Sequence, residues 1–155
     1  MAELVTQVVQ ECRHHTPSSA HRLLWQAMAP VAAESVRIRA DREALALALR
    51  NLVDNAVKYS PDPSPVRVSI APRGAFVGIA VEDEGIGIPK DEQRTIFRKF
   101  ARGAAARAMN VKGTGIGLTM ADQIVKAHGG RLELVSEPGC GTTFTTLLPI
   151  QPSHA

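Results

Sequence analysis

The sequence contains little cysteine, few aromatic residues and no long apolar run. Its 155 residues include two cysteines, Cys12 and Cys140, and aromatic residues make up only 4%. Two isolated cysteines without metal-like spacing exclude a disulfide framework and a zinc site, and they indicate a reducing, cytoplasmic setting. The apolar stretches are much shorter than the roughly 20 residues that cross a bilayer, and no secretory signal is visible. We therefore expect no membrane contact from this segment.

The length of the chain and its 45% of hydrophobic residues are typical of one domain, which we expect over residues 1–155. Because aromatic residues are scarce, the core should consist of Ala, Val, Leu and Ile, which suits helices packed on a sheet. The formal net charge is +3, but the Lys and Arg residues are scattered. We therefore expect no nucleic acid, since a phosphate-rich ligand or an acidic protein partner explains the same charge.

Apolar periodicity and turn residues predict the secondary structure. Helices are predicted over residues 2–13, from an N-cap at Asp41 to residue 59, over 118–128, and as a short helix after Pro89 that carries Ile96, Phe97 and Phe100. Strands are predicted over residues 21–28 and 36–40, which should pair with each other, over 66–71 and 76–81 as a hairpin, and over 131–136 and 142–148. Residues 101–112 lack core periodicity, and we interpret them as a mobile lid.

The long predicted helix has a polar face formed by Asn51, Asn55 and Lys58, away from its apolar stripe. This face is either the solvated side of an ordinary surface helix or part of a binding site. Asn is a poor choice for an exposed helix interior, which favours the second interpretation. An Asn amide oxygen is also a suitable ligand for Mg²⁺ that is shared with phosphates.

An acidic residue and two glycines follow the predicted hairpin. Asp83 enters the segment that contains Gly85 and Gly87. This arrangement is either a tight turn capped by Asp or one wall of a flat slot. In the slot, the buried carboxylate would accept a hydrogen bond from the exocyclic amino group of adenine, and the glycines would let the backbone approach the ring.

A second glycine-rich segment, GTGIGL, runs from Gly113 to Leu118. It lacks the Lys-Ser/Thr ending of a P-loop, and its position does not fit the dinucleotide-binding fingerprint. Free backbone N–H groups at the start of a helix favour phosphate, and Lys112 adds a positive charge beside them. Alternatively, the glycines separate the lid from the following helix, and both interpretations are compatible.

With these residues in place, the chain resembles the ATP-binding catalytic domain of bacterial sensor histidine kinases. The superfamily includes type II topoisomerases, the ninety-kilodalton heat-shock chaperone and mismatch-repair ATPases. The resemblance covers about residues 4–149 and rests on four motifs in family order, NLVDNAVKYS, DEGIGIP, IFRKFARG and GTGIGL. It implies a Bergerat fold: a two-layer α/β sandwich with a mixed, mostly antiparallel sheet, three helices on one face and a mobile ATP lid.

The resemblance also implies a role for each motif residue. Asn55 would hold Mg²⁺, Lys58 would reach the phosphates, and Tyr59 would border the nucleotide. Asp83 would accept from the adenine amino group and be supported by Thr142 through water. The slot would be shaped by Gly85, Gly87 and Ile88, and the phosphates would be covered by Lys112, Gly113, Thr114, Gly115, Ile116, Gly117 and Leu118. Arg102 or Arg107 would act at the γ-phosphate.

Two departures from the family pattern bear on the reaction. Relatives that hydrolyse ATP carry a Glu at the position of Asn51, and an amide is a poor general base, so rapid hydrolysis is not expected. No histidine here has the phosphoacceptor context, since HHTPSS keeps only its Thr-Pro. We therefore expect a chain that does not autophosphorylate alone, and that is either an excised domain or a split kinase acting in trans.

The expected function is binding of Mg²⁺ and ATP and donation of the γ-phosphoryl group to a histidine on a helical dimerisation domain. A response regulator would act downstream. The expected location is the cytoplasm, either free or as the cytoplasmic part of a membrane-bound sensor. Two alternatives stay open: an ATP-hydrolysing clamp of the chaperone or topoisomerase type, and a nucleotide-binding regulatory module without kinase activity.

Overall fold

A computed structural model describes residues 1–15, 20, 22–27, 37–61, 63–97 and 117–151. This part of the chain contains three helices and five strands. In chain order they are α1 (Ala2–His15), β1 (Leu23–Ala27), α2 (Arg42–Tyr59), β2 (Val66–Arg73), β3 (Phe76–Asp83), α3 (Gly117–Ala127), β4 (Arg131–Glu137) and β5 (Gly141–Pro149).

The five strands form one mixed sheet in the order β1-β2-β3-β5-β4. β1 runs parallel to β2, and the other neighbouring pairs are antiparallel. Along β2, the side chains of Val66, Val68 and Ile70 are buried and join the helices in one core, while Arg67 is exposed. Because alternate side chains of a strand point to opposite faces, one face of the sheet is covered by helices. The predicted α/β sandwich with a mostly antiparallel sheet is confirmed.

Helix α2 is the central helix and packs against both α1 and α3. Its N-terminus is capped as predicted, because Oδ1 of Asp41 accepts hydrogen bonds from the backbone N–H groups of Glu43 and Ala44 at 3.1 and 3.2 Å. Leu45 and Leu49 on the apolar side of the helix are fully buried. This packing leaves the polar side of α2 available for the site described below.

Helix α3 ends where the glycine pair predicts. Gly129 has φ +75°, and the N–H groups of Gly129 and Gly130 donate to the carbonyls of Lys126 and Val125, which is the Schellman arrangement. Nε2 of His128 accepts a hydrogen bond from the backbone N–H of Asp41 at 3.0 Å. The C-terminal end of α3 is therefore tied to the N-terminal end of α2.

Two sequence predictions about strands and helices are wrong within the described residues. Residues 37–40 form no strand, and β1 pairs with β2 and not with that segment. The parallel pairing brings Leu23 opposite Val66, so that both side chains enter the core. Residues 90–97, the part of this segment that the structure describes, form successive turns and no helix, with the carbonyl of Glu92 accepting from two following N–H groups. Gln93 in this segment donates a hydrogen bond to the carbonyl of Ser136 on β4, and tertiary contacts of this kind override a weak local preference for helix.

No helix among the described residues is long and apolar enough to cross a membrane. Several predicted features lie outside the described residues: the lid at 101–112, Phe100, Val36, and the first and last residues of the strand predicted over 21–28.

Candidate nucleotide-binding site

One side of the site is the polar face of α2. Asn51 and Asn55 are half-buried on successive turns of this helix, and Lys58 is exposed one turn further on. Nδ2 of Asn51 donates a hydrogen bond to the carbonyl of Gly117, the first residue of α3, at 3.2 Å. The polar face of α2 therefore meets the start of α3, where the second glycine-rich motif ends.

A second part of the site is the end of β3. The side chain of Asp83 is buried, and its Oδ1 accepts from the backbone N–H of Gly85 at 2.8 Å. Burial raises the pKa of the Asp83 carboxyl above its ordinary value of 3.8, although hydrogen bonds from the backbones of Gly85 and Thr142 favour the charged form. A further hydrogen-bond donor, such as a ligand, would offset the free-energy cost of burying this carboxylate.

The glycine turn after Asp83 is enclosed by backbone on two sides. A Cβ atom on Gly85 would overlap the carbonyl oxygen of Tyr59, at the end of α2. Gly87 has φ +72°, and a Cβ atom there would overlap the carbonyl oxygen of Glu137, at the end of β4. The turn requires glycine at both positions because it is pressed between α2 and the β4–β5 hairpin.

The end of the turn is held by Ser136 and Gln93, which the sequence did not single out. The N–H of Ile88 donates to Oγ of Ser136 at 2.8 Å, and the carbonyl of Ile88 accepts from Nε2 of Gln93 at 3.0 Å. Oγ1 of Thr142 lies 2.8 Å from Oγ of Ser136. The sequence signal that could have identified Ser136 is a polar residue on the same side of β4 as the apolar Leu134, which packs against the core.

The structure brings together some of the predicted site residues. Asp83, Gly85 and Thr142 are joined by hydrogen bonds, Tyr59 contacts the glycine turn, and Asn51 contacts Gly117. Leu118 is half-buried against the core. Seven predicted site residues lie outside the described part of the chain: Arg102, Arg107, Lys112, Gly113, Thr114, Gly115 and Ile116.

The donor set fits a magnesium ion that is shared with phosphates better than one enclosed by protein. Among the described residues, no group of three or more His, Cys, Asp or Glu side chains could hold a metal ion. Asn55 offers one amide oxygen, and it lies on α2 one turn after Asn51, whose side chain contacts the start of α3. Mg²⁺ commonly takes one or two protein ligands and completes its octahedron with waters and substrate phosphates.

Comparison with known proteins gives the class. The family model described as "Histidine kinase-, DNA gyrase B-, and HSP90-like ATPase" matches residues 40–152, and the chain belongs to this family. It is 42% identical over 116 residues to the sensor-like histidine kinase SenX3 of Mycolicibacterium smegmatis, which covers 75% of this chain and 30% of that relative. The matched part of the chain spans 30% of the length of this relative and between 15% and 37% of the length of other curated relatives.

Solved structures agree with this class. The mycobacterial sensor histidine kinase MprB superposes with a TM-score of 0.75 at 25% identity, covering 96% of each chain. The full-length ShkA structure in complex with AMPPNP superposes with a TM-score of 0.77 at 24% identity, covering 97% of this chain and 31% of that one, and shows likeness of fold. The predicted Bergerat fold is confirmed, and the chain is an ATP-binding catalytic domain of the sensor histidine kinase type.

The buried carboxyl of Asp83 should make the protein more stable at mildly acidic pH than at neutral pH, which is the opposite of the usual effect of a carboxyl group. Because its folded pKa is raised, the carboxyl contributes stability that is present below the unfolded pKa and is lost as pH rises through the folded pKa. Lowering the pH from neutral towards 3.8 should therefore stabilise the wild-type protein relative to Asp83→Asn, which does not titrate there. Urea unfolding of both proteins across this window measures the difference, and a difference that moves in favour of Asp83→Asn on acidification would contradict the prediction.

Proposed function

We propose that this chain binds Mg²⁺ and ATP and donates the γ-phosphoryl group of ATP to a histidine on a helical phosphoacceptor domain in two-component signalling. One observation carries the proposal: the buried carboxylate of Asp83 enters a glycine turn that contacts Tyr59 at the end of α2, the helix that carries the Asn and Lys side chains. This pairing offers separate recognition of a base and of phosphates, and the family membership supports the assignment.

In the proposed complex the base lies in the glycine turn. The carboxylate of Asp83 accepts from the exocyclic amino group of adenine, because a buried acceptor of this kind rejects a base that presents a carbonyl instead. Gly85 and Gly87 bring backbone close to the ring, Ile88 gives an apolar wall, and Tyr59 borders the nucleotide. The backbone hydrogen bonds of Asp83 support this role, since they hold the carboxylate in place before the ligand arrives.

The phosphates would lie between α2 and the start of α3. Asn55 holds Mg²⁺ through its amide oxygen, and Lys58 neutralises phosphate charge. When bound, the metal ion neutralises the charge that develops on the phosphate oxygens. We also propose that the second glycine motif, up to Gly117 and Leu118, covers the phosphates. Lys112 and an arginine of the lid, Arg102 or Arg107, would add positive charge beside them.

The proposed reaction depends on positioning. The lone pair of an imidazole nitrogen of the acceptor forms a bond to the γ-phosphorus, and the bond from that phosphorus to the β,γ-bridging oxygen breaks. ADP leaves with the electron pair of the broken bond, and the proton of the imidazole ring passes to solvent. Little covalent chemistry is required of the protein, so charge neutralisation and alignment supply most of the rate. The amide of Asn51 cannot activate water, and its donation to Gly117 supports a positioning role for this residue.

The partners follow from this reaction. We propose a histidine-bearing dimerisation domain, in the same parent protein or in a separate one, and a response regulator that receives the phosphoryl group. The single catalytic domain over residues 1–155 would work on the cytoplasmic side, where its substrate ATP is found.

The test is a chimera in which this chain replaces the catalytic domain of a related sensor kinase behind its dimerisation domain. With γ-labelled ATP, we expect acid-labile, base-stable label on the acceptor histidine and none on the isolated chain. Asn55→Ala should lower the labelling rate by at least roughly tenfold, because a metal ligand is lost. Gln10→Ala, an exposed helical amide on α1, is the matched control. Binding of ATP without any transfer in the chimera would refute the kinase assignment and favour a regulatory module.

Steady-state hydrolysis by the isolated chain tests the clamp alternative. We expect slow turnover, because the position used by a general base in hydrolysing relatives is an amide here. Release of phosphate at rates of about 1 s⁻¹ or more, within the ordinary range for enzymes, would favour the clamp.

A further inference from the structure

Ser136 occupies an unusual position for a hydroxyl group. It lies near the end of β4, on the inward side of the sheet, and only 9% of its surface is exposed. Burial of a hydroxyl costs free energy unless it is hydrogen-bonded. Three polar atoms surround Oγ of Ser136: the N of Ile88 at 2.8 Å, the carbonyl oxygen of Gly141 at 3.0 Å and Oγ1 of Thr142 at 2.8 Å.

The directions of these hydrogen bonds follow from the chemistry of the three neighbours. A hydroxyl has one hydrogen to donate and two lone pairs to accept with. The N–H of Ile88 can only donate and the carbonyl of Gly141 can only accept, so Ser136 accepts from the first and donates to the second. The remaining lone pair accepts from the hydroxyl of Thr142. Every capacity of Ser136 is then used within the protein, and none is left for a ligand.

These bonds hold Ile88 at the far end of the glycine turn. Gln93 completes the hold, because its Nε2 donates to the carbonyl of Ile88 at 3.0 Å and to the carbonyl of Ser136 at 3.2 Å. The near end of the turn is held by Asp83 through the N–H of Gly85. Thr142 connects the two ends, since its backbone bonds to the carboxyl of Asp83 and its hydroxyl bonds to Ser136.

We propose that Ser136, assisted by Gln93, is a positioning residue for base selection: it sets the separation between the carboxylate of Asp83 and the wall formed by Ile88. This proposal rests on the proposed function, in which the glycine turn receives adenine. When Ile88 is released, the turn can widen, and a purine that presents a carbonyl to Asp83 can shift away from the carboxylate. Loss of the hydroxyl therefore weakens ATP binding and also reduces discrimination against GTP.

The experiment compares Ser136→Ala with a matched removal of a buried hydroxyl from the same side of the sheet. Thr146→Val is the control, because Oγ1 of Thr146 is fully buried and has no hydrogen-bond partner among the described residues. Dissociation constants for non-hydrolysable ATP and GTP analogues are measured by calorimetry, and Tm is measured without nucleotide. Gln93→Leu provides a second variant that releases Ile88 and leaves the hydroxyl of Ser136 in place.

For Ser136→Ala we expect ATP-analogue affinity to fall about tenfold and the preference for ATP over GTP to fall by roughly threefold or more, which corresponds to the loss of one or two hydrogen bonds. Gln93→Leu should change both quantities in the same direction, and Thr146→Val should change neither. Hydrogen exchange of the Ile88 amide in the free protein should be faster in Ser136→Ala than in Thr146→Val. These results together would establish the positioning role.

Two different outcomes separate this inference from the function on which it rests. If the wild-type chain binds ATP and Ser136→Ala lowers only Tm, with the affinity and the ATP preference unchanged, Ser136 is structural and the inference is overturned while the proposed function stands. If the wild-type chain binds neither analogue, the proposed function and the base-selection role are both overturned.

Discussion

Replacement of Asp83 by Asn should weaken the binding of a non-hydrolysable ATP analogue by about 10- to 150-fold, the effect of losing a hydrogen bond to a charged group worth roughly 1.5 to 3 kcal/mol. The buried carboxylate is the acceptor for the adenine amino group in the proposed complex. An Asn side chain at this position keeps one acceptor oxygen, but it lacks the charge and brings an N–H₂ group that cannot accept.

The fold should survive this substitution. Burial already disfavours the charged carboxyl, so removal of its charge relieves a cost at neutral pH and offsets the hydrogen bond that is lost. Glu82→Gln, at the exposed neighbouring carboxyl of β3, controls for a general charge effect. Calorimetry and thermal unfolding of the three proteins measure binding and stability separately. Equal nucleotide affinity in Asp83→Asn and the wild-type protein would remove Asp83 from the base site.

Replacement of Gly87 by Ala should have the largest effect on both stability and binding. The new side chain meets two penalties, since Gly87 has φ +72° and the added Cβ would overlap the carbonyl oxygen of Glu137. The left-handed backbone alone costs roughly 1 to 2 kcal/mol for Ala. The overlap forces the glycine turn away from the β4–β5 hairpin, so we expect a total loss of about 4 kcal/mol in the free energy of unfolding and no measurable nucleotide binding.

Gly74 offers a matched control for the backbone penalty. It has φ +65°, and a Cβ atom there would meet nothing within 4 Å. Gly74→Ala should therefore lower the free energy of unfolding only by the cost of the left-handed backbone, roughly 1 to 2 kcal/mol, and should bind nucleotide normally. Urea unfolding of the two variants separates the cost of the backbone conformation from the cost of the overlap with Glu137. Similar losses in both variants would show that the contact between the glycine turn and the hairpin tolerates a side chain.

Predictions from sequence were most successful where the physical cause is local. The N-cap of α2 depends on Asp41 and on N–H groups two and three residues later, and it was found where expected. The end of α3 depends on a glycine that adopts a positive φ directly after the helix. In both cases the signal and the structure lie within one helical turn, so the residue types suffice.

Predictions failed where the outcome depends on residues far apart in the chain. The segment around Leu23 was expected to pair with the segment that follows it, yet it pairs in parallel with β2, about forty residues later. The residues after Pro89 have an apolar spacing that is compatible with a helix, but residues 90–97 form turns. Gln93 in this segment is hydrogen-bonded to Ser136 on β4, which is distant in the chain. Burial of apolar side chains in a common core decides such choices, and local periodicity does not reveal which partner will provide it.

The sequence by itself determined which chemical groups this protein brings to a ligand: an acidic residue that enters a glycine turn, and an Asn and Lys face on a capped helix. Those features are local, and they were sufficient to indicate the class. Only the tertiary structure decided how the groups are held, because the hydrogen bond from Ile88 to Ser136 joins residues 48 apart and the one from Asn51 to Gly117 joins residues 66 apart. Contacts of that separation form when the sheet and helices pack, so no local pattern in the chain records them.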